Sequence, residues 1–426
     1  MRLEMANVAD DVFSGYPEYV PNIDNYNVPN CSYLHVEDLS PFICSMAFSI
    51  LMFNIRSCKK NFDNFIANFY NCITSFSCIV LTETWLTEER DKTFDIPGYY
   101  CYNLYRNQYG GGIKVYLKNC IKSRILNDFT VNNNLLEMLT IELIYCGCKF
   151  VLLSLYHPPS SSSRNNIDFI DLFTSYLHNA LDLRLPLVMA GDINLNLLNP
   201  NNSLYIDMYI NNLFECNMRP LITRPTKVNM ENPITRFSII DQIWITEGLS
   251  SAVSFILPLS ITDHFPVCAV VNSRFDSPTL LSVKSRILSI RGKETFGILL
   301  SNLLIITSDD MNQVYDQYHA QVFKLYNTAF PLVSKRVKER DPAPWMTCKL
   351  KQCIRKKAKL YRLYLKGNIR KYEYTTYKNR LTNVIRKSKA LYYTKLFLEN
   401  AGNPKWVWST INDVLKRKDI TLYVQA

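Results

Sequence analysis

Polar residues that border short apolar runs are the candidates for chemistry in this sequence. Glu83 follows the run CIVLT, Asp192 and Asn194 follow LVMAG, and Asp263 and His264 precede PVCAVV. Carboxylate oxygens are the ligands that Mg²⁺ and Mn²⁺ prefer, and a histidine held by a carboxylate can stabilise charge on a phosphoryl group. The set therefore suits metal-assisted hydrolysis of a phosphate ester, with Asp192 as the base for a water that Asn194 orients.

Each of these residues, taken alone, has a more ordinary explanation. A glutamate after a strand is most often a solvated loop residue, and an isolated Asp-His pair is most often a cap. A structural zinc site is not expected, because the thirteen cysteines lack partners at zinc-site spacing. Only the order and spacing of the motifs along the chain favour the chemical interpretation.

The elements that must position these residues can be read from nine apolar runs. The runs are short and apolar on both faces, and helix-like stretches separate some of them. This pattern predicts a layered α/β domain with covered sheets. The runs lie at 48–53, 78–81, 112–117, 139–144, 150–156, 185–190, 238–245, 254–259 and 266–271, and the helix-like stretches at 62–70, 168–180 and 205–212.

Charge divides the chain into two parts. Residues 1–275 hold 19 Lys+Arg and 26 Asp+Glu, whereas residues 276–426 hold 29 and 11, so the net charges are −7 and +18. Residues 335–395 alone carry 20 basic side chains and three acidic ones. We interpret the acidic part as able to hold a metal and the basic part as suited to a polyanion.

Composition shifts predict four segments. Residues 1–42 form a loose leader, 43–273 the α/β domain, 274–344 a linker with helices, and 345–426 a basic helical region interrupted once at 400–404. No apolar run approaches the roughly 20 residues of a membrane span, and the first ten residues have no signal-peptide core. We therefore expect a nuclear or cytoplasmic protein with reduced cysteines, which is not secreted and has no membrane partner.

The motifs form a series along the chain. They are N-I-R-S at 54–57, T-E-T-W-L at 82–86, R-N-Q-Y-G-G-G at 106–112, S-L-Y-H-P-P at 154–159, G-D-I-N at 191–194, I-I-D-Q-I-W-I at 239–245 and T-D-H-F-P-V at 262–267. The series resembles the endonuclease/exonuclease/phosphatase family over residues 48–271. It resembles more closely the apurinic-endonuclease-like domain of non-LTR retrotransposon polyproteins of the jockey or CR1 type. The T-E-T-W-L block and the triple glycine favour this retroelement branch.

The resemblance implies a fold and a metal site. The family fold is a four-layer α/β sandwich, in which two packed mixed sheets are flanked by helices. By position, Glu83 would be the main ligand of Mg²⁺ or Mn²⁺, assisted by Asn54. Asp263 would support either the metal or the histidine. No small-molecule cofactor is expected.

The resemblance also implies catalytic roles. Tyr156 would lie against the scissile phosphate, and Asp192 would activate the water that Asn194 orients. Asp241 would pair with His264, which would contact the phosphoryl oxygens. The implied activity is nicking of DNA to leave a 3′-hydroxyl. Two alternatives stay open, a catalytically inactive remnant that binds nucleic acid and a phosphatase of the same fold.

The basic region resembles the segment that connects the endonuclease to the reverse transcriptase in such polyproteins. Because the chain stops at Ala426 without transcriptase motifs, the resemblance predicts a truncated element copy. The region is expected to bind DNA, with the element RNA as a second candidate, although a helical bundle with solvated basic faces would give the same pattern. The candidate DNA-binding residues are Lys351, Arg355, Lys356, Lys357, Lys359 and Arg362.

Overall fold

The computed structural model describes residues 31–43, 47–198, 204–231, 237–246, 249, 251–272, 282–286, 290–303, 310–336 and 343–414. Two compact units are present, one formed by Met1–Pro278 together with Arg340–Ala426 and the other by Thr279–Glu339. Most of the predicted leader, residues 1–30, lies outside the described residues.

The strands and helices have the following bounds. The strands are β1 (Cys31–Tyr33), β2 (Phe48–Asn54), β3 (Cys78–Thr82), β4 (Tyr99–Leu104), β5 (Ile113–Lys118), β6 (Lys122–Ile125), β7 (Val131–Asn132), β8 (Glu137–Tyr145), β9 (Cys148–Tyr156), β10 (Leu187–Asp192), β11 (Met218–Pro220), β12 (Lys227–Val228), β13 (Phe237–Ser238), β14 (Asp241–Thr246), β15 (Ser251–Ile256), β16 (Val267–Asn272), β17 (Ser282–Arg286) and β18 (Leu332–Arg336). The helices are α1 (Cys58–Asn68), α2 (Ser163–Leu181), α3 (Leu204–Glu215), α4 (Ile290–Ser301), α5 (Met311–Ala329), α6 (Cys348–Leu365), α7 (Lys371–Glu399) and α8 (Pro404–Val414). Among the described residues, none of the helices is both long enough and apolar enough to cross a bilayer.

Two mixed sheets form the centre of the larger unit. The first has the order β1-β15-β16-β2-β3-β5-β4, and the second has the order β11-β14-β10-β9-β8-β6, with β7 also paired to β8. Strands β2 and β3 are parallel in the first sheet, and β9 and β10 are parallel in the second. Because parallel neighbours end at the same edge, each sheet brings two strand ends together.

The sheets pack face to face between helical layers. Along β2, alternate side chains enter different cores: Ile50 and Met52 contact the second sheet, whereas Leu51 and Phe53 pack with α1. The outer face of the second sheet is covered by α2 and α3, which contribute Phe169 among other residues. This arrangement confirms the predicted α/β sandwich of two mixed sheets flanked by helices.

The structure differs from the expected strands mainly at sheet edges. Residues 31–33 form the parallel edge strand β1 and bury Tyr33, although they were expected to be part of a loose leader. The edge strands β4 and β6 were not predicted, because their half-buried or exposed residues lack a continuous apolar run. The run predicted as one strand at 238–245 is divided between the end of the short strand β13 at Ser238 and β14, which begins at Asp241.

The smaller unit consists of the antiparallel pair β17 and β18 with helices α4 and α5. Phe296 packs on Tyr326 and Phe330, with ring centroids 5.8 and 5.9 Å apart. Asp310 caps α5 by accepting a hydrogen bond from the Asn312 N–H at 2.9 Å, whereas Asp309 lies outside the described residues. Helix-capping is therefore the structural role of Asp310.

The basic region contains one more break than expected. The pattern predicted a single interruption at 400–404, but α6 ends at Leu365 and α7 begins at Lys371. Gly367 lies between them with φ of +76°, a conformation that glycine adopts without the Cβ penalty. The chain therefore reverses here into a helical hairpin, and α6 and α7 contact each other.

Helices α6 and α7 pack on the sandwich. Leu350, Ile354, Leu381 and Ile385 are buried in the same apolar cluster as Phe65 of α1. The Lys389 Nζ lies 2.5 Å from Asp63 Oδ1 across the same contact. Helices α6 and α7 therefore share a core with the sandwich, and a fragment ending at Ser273 would leave this apolar surface uncovered.

The packing of α7 on the sandwich predicts that a buried residue of α7 contributes to the stability of the larger unit. Ile385→Ala is expected to lower the free energy of unfolding of the larger unit by about 2–5 kcal/mol, because it leaves a cavity in a shared core. Val384→Ala, at a neighbouring side chain that is 50% exposed, should change it by much less. Urea unfolding followed by tryptophan fluorescence measures both. Equal effects of the two variants would contradict the shared core.

Candidate active site

The strand register brings the predicted residues from both sheets to one edge of the sandwich. Asn54 ends β2, and Glu83 directly follows the parallel strand β3. In the second sheet, Asp192 at the end of β10 is paired with Tyr156 of β9 on one side and with Asp241 of β14 on the other. Strand pairing therefore places two of the predicted site residues at neighbouring strand ends in the first sheet and three in the second, and the packing of the two sheets brings the two sets together.

The Asn54 amide links the two sheets. Its Nδ2 donates to Glu83 Oε1 at 2.8 Å and to Asp192 Oδ2 at 2.7 Å. Its Oδ1 accepts a hydrogen bond from the Arg56 N–H at 3.2 Å, which sets the orientation of the amide. Two carboxylates that belong to different sheets therefore converge on one buried side chain.

Several non-glycine residues beside this point have left-handed backbone conformations. The φ angles are +51° at Glu83, +53° at Trp85, +53° at Asn194, +44° at Arg56 and +81° at Ser57. Such conformations are unfavourable for residues with a Cβ and persist where the surroundings impose them. They turn the chain sharply at the strand ends, and functional sites are a common place for such strain.

His264 is held by Asp241. The His264 Nδ1 lies 3.0 Å from both carboxylate oxygens of Asp241, and Asp241 also accepts from Thr226 Oγ1 at 2.7 Å. Nδ1 must therefore carry a proton, which leaves Nε2 to face Lys227 Nζ at 3.4 Å. Burial lowers the pKa of His264, but Asp241 and Asp192 outweigh it, so the pKa is raised. The protonated ring is thereby favoured.

Asp192 lies in the most negative part of the site. Burial and the nearby carboxylates of Asp241 and Glu83 raise the pKa of Asp192, while His264 and Asn54 oppose this effect. The Asp192 Oδ2 lies 3.9 Å from His264 Nδ1. Asn194 donates its backbone N–H to Asp192 Oδ1 at 3.1 Å. A cation bound here would stabilise the charged form of Asp192.

The donors fit a divalent cation. Glu83 and Asp192 offer hard carboxylate oxygens, and both accept hydrogen bonds from Asn54. Side-chain donor atoms of Asp192, Asp241 and His264 lie within 4.8 Å of one another. These acidic groups could hold a metal.

Asp263 lies between two cationic side chains beside His264. Its Oδ1 is 2.8 Å from Arg56 Nη1, and its Oδ2 is 3.1 Å from Lys227 Nζ. Burial raises the pKa of Asp263, but His264, Lys227 and Arg56 lower it further than burial raises it. The structure thus gives Asp263 two cationic partners and does not bring it into the carboxylate cluster.

Tyr156 lies opposite a carboxylate residue, Glu137, that was not predicted from the sequence. Glu137 of β8 is paired with Tyr156 and accepts hydrogen bonds from the Gly112 N–H at 2.6 Å and Arg106 Nη1 at 3.0 Å. Burial and the carboxylates of Glu83, Asp192 and Glu137 raise the pKa of Tyr156, so its phenol keeps its proton. The R-N-Q-Y-G-G-G motif contains Arg106 and Gly112, which donate to Glu137, but Glu137 itself lies outside every motif of the series.

The triple glycine at 110–112 provides a test of how closely this turn packs on Glu137. A Cβ on Gly111, where φ is +70°, would lie 2.2 Å from Glu137 Oε1, whereas a Cβ on Gly110 would meet nothing within 4 Å. We expect Gly111→Ala to lower the free energy of unfolding by about 1–2 kcal/mol from the left-handed backbone alone, and more from the clash. Gly110→Ala should be nearly neutral. Thermal unfolding compares the pair, and similar melting temperatures would show that Glu137 does not depend on this turn.

Arg56, Lys227 and Thr226 were also missed as site residues. They contact Asp263, His264 or Asp241 directly. Arg56 lies within the N-I-R-S motif, which was a usable signal, but the stretch around Lys227 contains no motif. Its position follows from the isolated antiparallel bridge between Lys227 and His264.

The predicted DNA-binding residues on α6 do not face the site. Lys357 is 4% exposed and donates to Asn68 Oδ1 at 3.3 Å, and burial lowers its pKa to about 7. Lys351 lies 4.3 Å from the centroid of the Tyr70 ring, and Arg362 Nη1 is 3.2 Å from His35 Nε2. The assignment of Lys357 is therefore wrong, because a phosphate cannot reach it.

The other three predicted residues also lie away from the carboxylates. Lys356 Nζ lies 5.5 Å from the centroid of the Tyr377 ring. Arg355 and Lys359 are exposed. None of the six predicted residues of α6 lines the cleft that is bordered by Glu83, Tyr156 and Asp263.

A cleft of about 1230 Å³ reaches the edge of the site and is lined by Glu83, Tyr156 and Asp263. Three acidic residues and six basic ones line it, so its walls are net positive although residues 1–275 carry a net charge of −7. The basic residues on its wall are Arg56, Lys60, Lys227, Lys371, Lys378 and Arg386. The last three belong to α7.

Residues 53–264 match the model of the Endonuclease/Exonuclease/phosphatase family. Among solved structures, the chain is similar to the endonuclease domain of TRAS1, a telomere-specific non-LTR retrotransposon, with 12% identity over 53% of this chain and 98% of that chain and a TM-score of 0.41. It is also similar to the catalytic domain of Xenopus laevis APE2 (14% identity, 53% and 91% coverage, TM-score 0.42). A third similar structure is the 3′–5′ exonuclease NExo from Neisseria meningitidis (13% identity, 54% and 100% coverage, TM-score 0.43). No curated protein matches the sequence.

The matched region contains every catalytic and metal-binding candidate. It begins just before Asn54 and ends at His264, and the sandwich that positions these residues is the one that the sequence resemblance implied. Through residues 53–264, this chain belongs to the endonuclease/exonuclease/phosphatase family.

Proposed function

We propose that this protein is a metal-dependent nuclease that hydrolyses phosphodiester bonds in DNA and leaves a 3′-hydroxyl at each nick. The observation that carries the proposal is the buried cluster of Asn54, Glu83 and Asp192 beside the His264–Asp241 pair. The cluster combines oxygen donors for a cation, a base for water and a donor for a phosphoryl oxygen.

The metal, Mg²⁺ or Mn²⁺, would be held by Glu83 and Asp192 with Asn54, and it would neutralise phosphoryl charge and stabilise the leaving oxygen. Asp192 accepts the proton of the attacking water. Asn194 orients this carboxylate through its N–H, and its side chain is itself held by the His157 carbonyl at 2.8 Å. These contacts place the base rigidly before substrate arrives.

Two hydrogen-bond donors, His264 and Tyr156, would contact oxygens of the scissile phosphate. His264 presents its Nε2, and Asp241 keeps the ring oriented and stabilises its protonated form. Tyr156 retains its phenolic proton and donates it in a hydrogen bond. Donors fixed in this way stabilise charge that develops in the transition state without rearranging.

A polymeric substrate is favoured over a small phosphate ester. The cleft extends well beyond the carboxylates, and the six basic side chains on its wall suit several phosphates in a row. The motif series, with T-E-T-W-L and the triple glycine, supports an origin in a non-LTR retroelement. DNA is therefore the substrate that we propose, and RNA of the element is a second ligand to test.

The test is conversion of supercoiled plasmid to open circle by the full chain with Mg²⁺ or Mn²⁺, and with EDTA as control. We expect metal-dependent nicking, and nicks that a DNA ligase seals, since sealing requires a 3′-hydroxyl and a 5′-phosphate. Binding of plasmid without conversion would refute the nuclease in favour of a binding protein. Release of phosphate from small esters without nicking would refute it in favour of a phosphatase.

A further inference from the structure

One side of helix α7 forms a wall of the cleft. Residues that line the cleft recur along the helix at intervals of three or four, so they share one face. Lys378 lies near the middle of this face and Arg386 at its C-terminal end, two turns apart. The full set on α7 is Lys371, Tyr374, Lys378, Asn379, Thr382, Asn383 and Arg386.

The face is held in place by contacts at both edges of the helix. Leu381 and Ile385 are buried against the sandwich. Asn64 Nδ2 donates to Thr382 Oγ1 at 3.4 Å, and Arg386 Nη2 donates to the Lys60 carbonyl at 3.1 Å. The basic side chains are therefore presented to the cleft by a packed helix and not by a mobile loop.

Among the described residues, Lys378 and Arg386 differ from two other lysines of α7 in forming no ion pair. Lys371 forms an ion pair with Glu231, and Lys389 forms one with Asp63. Within the described residues, neither Lys378 nor Arg386 forms an ion pair with a carboxylate.

Lys378 is also partly desolvated. Burial lowers its pKa and Lys60 lowers it further, while Asp263 raises it. An ammonium group in such a position is only partly compensated in the free protein, and an anion that enters the cleft would add to the compensation that Asp263 gives. A phosphate that contacts Lys378 would lie on the same side of the cleft as Asp263, which neighbours the catalytic His264.

We propose that the cleft-facing side of α7, through Lys378 and Arg386, binds phosphates of the DNA strand that is cut. Helix α7 is then an integral part of the nuclease site, although it lies more than 100 residues after the last catalytic residue. The inference rests on the proposed nuclease function and adds a substrate-binding surface to it. It also replaces α6 with α7 as the DNA-binding element of the basic region.

The experiment compares two double variants with equal charge. Lys378→Met with Arg386→Met removes the cleft-facing pair, and Arg380→Met with Lys387→Met removes two exposed cations from the opposite side of the same helix. Binding of a fluorescent DNA duplex is measured in EDTA over a salt series, so that no cleavage occurs. We expect the first pair to weaken binding at least about tenfold and to reduce the slope of log affinity against log salt by about 2, since each phosphate contact contributes roughly 1. The second pair should change the slope by clearly less.

The outcomes separate this inference from the proposed function. If the parent protein binds DNA and the two double variants lose affinity and slope equally, the α7 site is overturned, whether or not the parent nicks plasmid. If the parent binds DNA without nicking it, and only the cleft-facing double variant loses affinity and slope, the α7 site is supported and the proposed nuclease function is refuted. No binding by the parent overturns both. Equal melting temperatures of the two double variants show that the comparison reports binding and not folding.

Discussion

Replacing Asp192 with asparagine is expected to slow plasmid nicking by about 10²–10⁴-fold while the protein stays folded. The side chain keeps its shape but can no longer accept the proton of the attacking water or offer a second charged oxygen to a cation. Glu83→Gln should have an effect of similar size, because it removes a charged oxygen donor that shares Asn54 with Asp192.

The Asp192→Asn substitution should not destabilise the protein. Burial and the neighbouring carboxylates raise the pKa of Asp192, so the charged form is less stable in the folded state than in the unfolded chain. A neutral amide removes this unfavourable charge but accepts only one of the two hydrogen bonds that Asp192 accepts from Asn54 and the Asn194 N–H, so we expect a melting temperature in the absence of metal that is close to that of the parent. Loss of activity with retained stability would identify a functional role and exclude a folding defect.

The matched control is Asp171→Asn, which removes an exposed carboxylate from α2 far from the cluster. It should nick at the parent rate. If Asp192→Asn nicked plasmid as fast as Asp171→Asn, the carboxylate cluster would not be the site of hydrolysis.

Removing the imidazole of His264 is expected to slow nicking by about 10²–10³-fold, the usual effect of losing one donor to a transition-state oxyanion. The ring is buried between Asp241 and Asp192 and presents Nε2 beside Lys227. His264→Ala therefore leaves the metal donors in place and removes the donor to the phosphoryl oxygen. Binding of DNA in EDTA should change much less than the rate of nicking.

Asp241→Asn tests whether the pair acts as a unit. Its amide can donate to His264 Nδ1 and so favour the tautomer that lacks a proton on this atom, which reverses the present hydrogen bond. We expect a loss comparable to that of His264→Ala and little further loss in the double variant. His178→Ala, at an exposed histidine of α2, is the control. Additive losses in the double variant would mean that Asp241 and His264 act separately.

The position of most strands and of the candidate residues at their ends could be predicted from the sequence. Buried strands require local apolar runs, and the polar residues that end them, such as Glu83 and Asp192, stand out against these runs. The motif series added the roles of Asn54, Tyr156 and Asn194, because its spacing was already that of a known family. The edge strand at Cys31–Tyr33 was missed, since three residues are too few to show a period.

Only the tertiary structure decided which of these residues touch. Asn54 and Asp192 are 138 residues apart in sequence, and their contact depends on how the two sheets pack. The contacts of Glu137, Arg56 and Lys227 depend on tertiary packing as well. The sequence around a single charged residue does not indicate which distant residue it will contact.

The basic region shows the same division between local pattern and packing. Its charge predicted a surface for a polyanion, and its periodicity predicted helices, because both properties are local. Which cations face the catalytic cleft depends on which side of each helix is buried. Leu381 and Ile385 dock α7 so that Lys378 and Arg386 line the cleft, whereas Lys357 of α6 is buried against Asn68. The composition of the basic surface therefore lay in the sequence, and its placement beside the active site arose only from helix packing on the sandwich.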